Sequence, residues 1–122
     1  MSGTGDEPVG IEVLAARQLA AYNRADLDGF AACFHEEVRV YEGEDCTVEG
    51  RDALRERYRA LFEGGGFGAD VPTRLVQGPH CVDHETWWRV DPDSGERRGG
   101  ALLVRYTLRD QLIGTVQFLY DD

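Results

Sequence analysis

Helix-forming sequence fills the first half of this chain, and strand-forming sequence fills the second half from Asp70 to Tyr120. This order predicts an α+β fold, because helices and strands that come in separate blocks pack as separate layers. We expect the helices to lie across one curled antiparallel sheet, an arrangement that encloses a single cavity. A pocket of this kind is the natural place to look for function.

Length and composition indicate one globular domain. The 122 residues are 42% hydrophobic and 30% charged, which is enough apolar sequence for a core without disulfides or metals. The first residues are polar and acidic, so we predict a disordered tail over 1–7 and a single domain over 8–122. No apolar run suits a membrane span or a signal peptide, and we expect a cytoplasmic protein that does not bind membranes.

Charge and cysteine content narrow the possible partners. The net charge of −10, from 13 basic and 23 acidic residues, argues against nucleic-acid binding. The three cysteines are widely spaced and odd in number, which favours reduced thiols over a disulfide framework or a zinc site. His80 and His84 are about 13 Å apart along a strand, too far to share one ion. We therefore expect neither a metal nor a cofactor.

Three amphipathic helices are predicted before the main run of strands. Pro8 suits the first turn of the first helix, and Asp26 can cap the second, which we expect to reach Phe34 and to end at His35–Glu37. The turn residue Gly50 opens the third helix. The predicted helices cover 9–23, 26–34 and 50–62, and the predicted strands cover 38–42, 70–77, 81–90, 100–109 and 111–120.

Side chains alternate between two faces along the strand 81–90. The more apolar face is expected to point into the cavity, and it carries Val82, His84, Thr86, Trp88 and Val90. His84 would then be an imidazole in an apolar cone, able to act as acid, base or donor near pH 7, with a hydrogen-bonded core histidine as the alternative. Trp87 and Arg89 lie on the other face, where a large apolar side chain favours a dimer interface through the sheet.

Several phrases resemble nuclear transport factor 2-like proteins, the superfamily of the ketosteroid isomerases and the SnoaL-like polyketide cyclases. They are Tyr22–Phe34, Gly50–Tyr58, Gly78–Glu85 and Asp110–Leu119. The resemblance covers nearly the whole chain. It implies a cone-shaped, curved antiparallel or mixed sheet with three N-terminal helices that close a deep apolar pocket, and commonly a dimer through the sheet. It does not imply one chemistry.

The resemblance to the isomerases can be followed residue by residue. Glu42 falls at the position of the general base, and it is either a base or a rim carboxylate paired with an arginine. Tyr58 matches a pocket tyrosine. The two oxyanion donors of the isomerases fall at Gln18 and Val104, so both donors are missing, and true ketosteroid isomerisation is not expected.

Three functions stay open from the sequence. The first is cofactor-free isomerisation, cyclisation or dehydration of a small apolar molecule, with Glu42 as base, His84 as its partner and Tyr58 as donor. The second is binding of such a metabolite without reaction, and the third is a protein-interaction module that uses the sheet. The residues expected to contact a ligand are Gln18, Tyr22, Trp88, Val104, Val116 and Tyr120.

Overall fold

The computed structural model describes residues 9–120. Its helices are α1 (Ile11–Asn23), α2 (Leu27–Ala31) and α3 (Arg51–Gly64), and its strands are β1 (Phe34–Glu42), β2 (Asp45–Glu49), β3 (Phe67–Gln77), β4 (His80–Val90), β5 (Arg97–Arg109) and β6 (Leu112–Leu119). The predicted α+β fold is confirmed. The predicted tail over 1–7 and Pro8 lie outside the described residues. Within 9–120, no helix combines the length and apolar character that a membrane span requires.

The six strands form one curved, mixed sheet in the order β2-β1-β6-β5-β4-β3. The β1–β6 pair is parallel, and the other neighbouring pairs are antiparallel. The register shifts within four of these five pairs, and such bulges bend and twist a strand, so the sheet curls around the helices. Pro72 lies in the irregular part of β3, an edge strand, where the absence of its N–H interrupts few ladder bonds.

The chain enters the sheet earlier than the sequence predicts. Asp26 caps α2 as expected, since its carboxylate accepts a hydrogen bond from the backbone N–H of Gly29 at 3.0 Å, but the helix ends at Ala31. The prediction that His35–Glu37 ends a helix was wrong, because these residues belong to β1. Phe34 and Val38, on either side of them, are both buried in the core, which draws this segment into the sheet.

Helix α1 lies across the concave face of the sheet and packs against β3, β4, β5 and β6. Its buried residues are Ile11, Leu14, Ala15, Gln18 and Ala21, and they recur with the spacing of one helical face. The Asn23 side chain donates to the Ala69 carbonyl at 2.9 Å and accepts from the Ala69 N–H at 2.8 Å. These two bonds tie the C-terminal end of α1 to β3.

Aromatic rings fill the space where the three helices meet β3. The ring centroids of Tyr22 and Phe67 are 4.7 Å apart, and those of Phe30 and Tyr58 are 4.9 Å apart. Phe62 packs against both pairs in tilted or edge-on geometry, which the quadrupoles of the rings favour. This cluster holds α3 over the sheet and leaves a hollow beside it.

Candidate functional site

A cavity of about 380 Å³ lies between the helices and the inner face of the sheet. This volume is within the range of small-molecule sites, which combine mainly apolar walls with a few placed polar groups. Apolar lining comes from Leu19, Phe30, Phe34, Val40, Leu54, Leu61, Trp87, Leu102, Val116 and Phe118. The polar groups of the lining are Gln18, Tyr22, Glu42, Arg57, Tyr58, Glu85, Arg89, Tyr106 and Tyr120.

Strand β4 supplies Glu85, Trp87 and Arg89 to the cavity at two-residue intervals. The predicted orientation of this strand was therefore wrong. His84 is exposed and pairs across the sheet with Thr73 and Leu103. Trp88 shares this outer face, and its ring lies over Gly68 of the neighbouring strand.

The two faces of β4 were predicted in reverse because the prediction placed the more apolar face inside, whereas the outer face of the sheet also carries apolar side chains. Leu75 on β3 is 68% exposed and Leu103 on β5 is 43% exposed, and both belong to that outer face. The inner face of β4 can carry charged side chains because Asp83 is paired with Arg74 and because Glu85 and Arg89 border the cavity. Trp87, which was predicted to form an outer interface, lines the cavity instead.

Glu85 is the carboxylate that the cavity perturbs most. Burial raises its pKa from an ordinary 4.5 to about 7, and the negative charge of Asp83 adds to the rise. Within residues 9–120, no hydrogen-bond donor or cation lies within bonding distance of the Glu85 carboxylate. It can therefore gain or lose a proton near neutral pH, which is what a general acid or base requires.

Asp83, two residues earlier, has the opposite environment. It is fully buried, and Arg74 donates two hydrogen bonds to it, from Nε at 2.7 Å and from Nη2 at 2.9 Å. The Cys81 thiol donates a third at 3.3 Å, and burial, followed by the charge of Asp83, raises the pKa of this thiol to about 12. Cys81 is therefore an unreactive thiol in a structural ion-pair cluster.

Tyr106 on β5 brings a phenol into the cavity. Its hydroxyl accepts a hydrogen bond from Nε2 of Gln18 at 2.9 Å, and the same nitrogen donates to the Ala15 carbonyl at 3.1 Å. Burial raises the pKa of Tyr106 well above its usual range, so the phenol stays protonated. Since its oxygen accepts from Gln18, its own proton is available to an oxygen atom of a guest.

The remaining polar groups surround the open end of the cavity. Glu42 accepts a hydrogen bond from Nη2 of Arg57 at 2.6 Å, which is the ion-paired alternative that the sequence left open. Burial raises the pKa of Tyr58 beyond any physiological pH, so Tyr58 is a proton donor and not a base. Tyr120 lies beside them and is 52% exposed.

Six of the nine predicted site residues line the cavity together, and three do not. The six are Gln18, Tyr22, Glu42, Tyr58, Val116 and Tyr120. His84 and Trp88 lie on the outer face of the sheet. Val104 is fully buried in the core between β4 and β6, where its backbone neighbours are Asp83 and Phe118, and it does not reach the cavity.

Sequence reasoning missed Glu85, Trp87, Arg89 and Tyr106, all of which line the cavity. A signal for Tyr106 was present, because it lies two residues beyond Val104 in one strand and therefore shares its face. The signal for β4 was Gly100 on the neighbouring strand. A Cβ atom on Gly100 would lie 3.0 Å from the Trp87 ring, so the missing side chain makes room for the indole.

The described residues form no candidate metal site. Among residues 9–120, no group of three or more His, Cys, Asp or Glu side chains is placed to hold an ion.

The chain is similar to known proteins in both sequence and fold. The SnoaL-like domain family matches residues 15–114. No curated protein matches the chain. Among solved structures, an uncharacterised cystatin-fold protein from Novosphingobium aromaticivorans is 17% identical, with a TM-score of 0.78 over 92% of this chain and 99% of the other.

Two further solved structures carry functional names. A Δ5-3-ketosteroid isomerase from a Mycobacterium species is 14% identical, with a TM-score of 0.81 over 91% of this chain and 92% of the other. A protein from Mesorhizobium loti named as a SnoaL-like polyketide cyclase is 20% identical, with a TM-score of 0.68 over 92% of this chain and 100% of the other. At these identities, the likeness shows the fold alone. The match over residues 15–114 goes further, and by it the chain belongs to the SnoaL-like domain family of the nuclear transport factor 2-like superfamily.

Proposed function

We propose that this protein binds a small, apolar carbonyl compound in its cavity and catalyses a proton transfer on it without a cofactor. The observation that carries the proposal is the Glu85 carboxylate, which has no partner within 9–120 and a pKa of about 7 inside the cavity. Isomerisation, cyclisation and dehydration of a carbonyl compound all begin with a proton transfer of this kind. A base near its midpoint at neutral pH is the most effective type.

The cavity supplies the two groups that such a reaction needs. Glu85 takes a proton from the carbon next to a carbonyl group, and the electrons of that C–H bond form an enolate. The enolate oxygen gains negative charge and accepts a hydrogen bond from the hydroxyl of Tyr106. The hydroxyl of Tyr58, on α3, is a second donor. Glu85 then returns its proton to another atom of the substrate. Donors placed in this way commonly contribute several kcal/mol to the transition state.

Tyr106 addresses the main objection to isomerase-like chemistry. The resemblance put the two oxyanion donors at Gln18 and Val104, neither of which can serve as an acid. In the structure Gln18 donates to Tyr106, and Tyr106 follows Val104 by two residues. A phenol therefore lies beside both positions, and it supports the assignment of an oxyanion donor to this chain.

Glu42 is the second candidate base, since it lines the cavity and matches the isomerase base by resemblance. Its ion pair with Arg57 at 2.6 Å places a cation on the carboxylate, whereas Glu85 has none. We therefore assign the proton transfer to Glu85 and the shaping of the open end to the Glu42–Arg57 pair. The isomerase and cyclase names among the structural neighbours agree with proton-transfer chemistry, although a shared fold does not assign a reaction.

Hydrogen–deuterium exchange at the carbon beside the carbonyl of 2-tetralone tests the proposal. We expect the wild-type protein to accelerate exchange, followed by NMR in D2O, with a rate that rises through about pH 7 as Glu85 ionises. Glu85→Gln should lose about a hundredfold or more, and Tyr106→Phe about tenfold to a hundredfold. Glu42→Gln separates the two candidate bases, and His84→Ala on the outer face is the control. If the tetralone binds without accelerated exchange, the protein is a binding module and not an enzyme of this class.

We also propose that two copies associate through the outer face of the sheet. That face exposes Leu75, Leu103 and Leu119 at 68%, 43% and 39%, and exposed apolar surface of this kind marks interfaces. Light scattering should give the mass of a dimer for the wild type and of a monomer for Leu103→Glu. A monomeric wild type would rule out this assembly.

A further inference from the structure

The open end of the cavity carries a cation that the proposed proton transfer does not use. Arg89 lines the cavity two residues after Trp87, and its guanidinium carbon is 5.8 Å from the centroid of the Trp87 ring. Its positive charge also partly opposes the rise that burial causes in the pKa of Tyr22, which places it beside that hydroxyl. Arg89 thus faces the same hollow as the two aromatic side chains.

Arg89 differs from the other arginine of the cavity in its partners. Arg57 is neutralised by Glu42 at 2.6 Å. No carboxylate within residues 9–120 lies within 4.0 Å of Arg89. In a chain with a net charge of −10, a guanidinium without an ion-pair partner at the entrance of the cavity creates a local site for an anion.

The neighbouring strand adds a second positive charge instead of compensating the first. Arg98 on β5 lies directly opposite Arg89 in the sheet, and like charges in directly opposed positions destabilise a strand pair. The nearest acid along the chain, Asp91, accepts the backbone N–H groups of Asp93 at 2.8 Å and Ser94 at 3.0 Å, and the positive charge of Arg98 also helps to lower the pKa of this carboxyl. An anionic guest would supply Arg89 with the opposite charge that no carboxylate within residues 9–120 supplies.

We propose that the ligand of this cavity is a planar ring compound that carries an anionic oxygen group, and that Arg89 receives this group at the cavity entrance. The ring system lies against Trp87 and extends toward Glu85, so that the anion and the reacting carbon are at opposite ends. Glu85 and Arg89 are four residues apart in one strand, a separation of about 13 Å. This distance suits a bicyclic or larger ring system and keeps the anion of the ligand away from the Glu85 carboxylate.

This inference rests on the proposed function because it names the substrate class of the same cavity, but its test measures binding and not turnover. The probes are 2-naphthoate and its uncharged analogue 2-naphthamide, which have the same ring system and nearly the same shape. Isothermal titration calorimetry at low salt gives the ratio of their dissociation constants. We expect the wild type to prefer 2-naphthoate by about tenfold, the value of one charge-assisted hydrogen bond.

Arg89→Gln should remove this preference, and Arg97→Gln is the matched control. Arg97 is an arginine of the same end of the sheet, but it stacks on Trp88 of the outer face, with its guanidinium carbon 4.6 Å from the ring centroid. The two variants change the net charge equally, so only a direct contact distinguishes them. Trp87→Leu should weaken both probes by a similar factor, because it removes the stacking surface and not the charge.

The outcomes separate this inference from the proposed function. Equal binding of the two probes by the wild type, or an unchanged preference in Arg89→Gln, would overturn the assignment of Arg89. Failure of 2-naphthoate to bind would overturn it as well. Glu85→Gln should abolish proton exchange and still prefer 2-naphthoate. If the wild type prefers 2-naphthoate but does not accelerate exchange, the proposed reaction is contradicted and the role of Arg89 is not.

Discussion

Asp83 and Glu85 are two carboxylates of one strand that point to the same side of the sheet, yet the fold treats them in opposite ways. Asp83 is fully buried and is held by two hydrogen bonds from Arg74 and one from Cys81. Glu85 borders the cavity, has no partner within 9–120, and has a pKa raised to about 7 by burial. The sequence separates them by a single residue.

The difference shows how a partner decides the role of a buried acid. A buried charge that is hydrogen-bonded on several sides is a structural element, and removing its partner is strongly destabilising. A buried acid without a partner is easily protonated, and its cost to stability depends on pH. The first arrangement links β3 to β4, and the second leaves a group free for chemistry in the cavity.

Removing the partner of Asp83 should have the largest effect. Arg74→Met leaves a fully buried carboxylate without its cation, and we expect a loss of about 3 kcal/mol in the free energy of unfolding. Urea denaturation at pH 7 measures it. Adding Asp83→Asn to the same variant should recover much of the loss, because an amide does not need the arginine. A loss below 1 kcal/mol would mean that the Arg74–Asp83 pair is dispensable.

Replacing Glu85 should change stability in a way that depends on pH. Between 4.5 and about 7 the folded protein keeps the Glu85 proton while the unfolded chain releases it, so the wild type loses stability as pH rises through this window. Glu85→Gln has no such proton. Its stability relative to the wild type should therefore increase by about 3 kcal/mol from pH 4 to pH 8. Parallel pH profiles for the two proteins would show that Glu85 ionises normally.

The Gln18–Tyr106 hydrogen bond offers an intermediate effect on the cavity side. Tyr106→Phe removes the acceptor of Gln18 Nε2 but leaves the bond to the Ala15 carbonyl, and we expect a loss of about 1 kcal/mol. Tyr120→Phe, at a tyrosine that is 52% exposed, is the matched control and should change stability by less. If both substitutions cost the same, the hydrogen bond adds nothing to the packing of the ring.

A substitution of His84 should have the smallest effect. His84 is next to Glu85 in the chain, but its side chain lies on the outer face of the sheet and that of Glu85 lies on the inner face. At protein concentrations that keep the chain monomeric, His84→Ala should change the free energy of unfolding by less than about 0.5 kcal/mol, as expected for an exposed position. The midpoint of the Glu85 titration, followed by NMR of the carboxyl carbon, should not move. A shift of that midpoint would show that the imidazole acts on the cavity through the strand.

The fold was largely predictable because it follows from patterns that need no partner. The helical stripe of α3, the cap at Asp26 and the alternation of the later strands are properties of short segments. Where the prediction was wrong, a contact distant in sequence decided the outcome. His35–Glu37 joined β1, which pairs with the distant strand β6 on either side of this segment, through Phe34 with Ile113 and Arg39 with Thr115.

The site was less predictable, because two-residue alternation defines two faces of a strand without saying which is inner. Glu42 and Tyr58 reached the cavity as expected, while the face of β4 was assigned by apolar content and came out reversed. The outer face is apolar in its own right, as the exposure of Leu75 and Leu103 shows. The inner face can hold charged side chains because Arg74 neutralises Asp83. Glu85 and Arg89, on the same face, border the cavity and are not packed in the core.

From its residues alone, this chain was committed to helices followed by strands, and the family resemblance added a cone and a pocket with an acid and a phenol at its wall. Local periodicity and capping determine the order of helices and strands, because each depends on neighbours within a few positions. The three-dimensional fold decided which acid is paired and which is left unpaired. It did so because the pKa of a carboxylate depends on the charges and the burial around it, and residues from distant parts of the chain supply both.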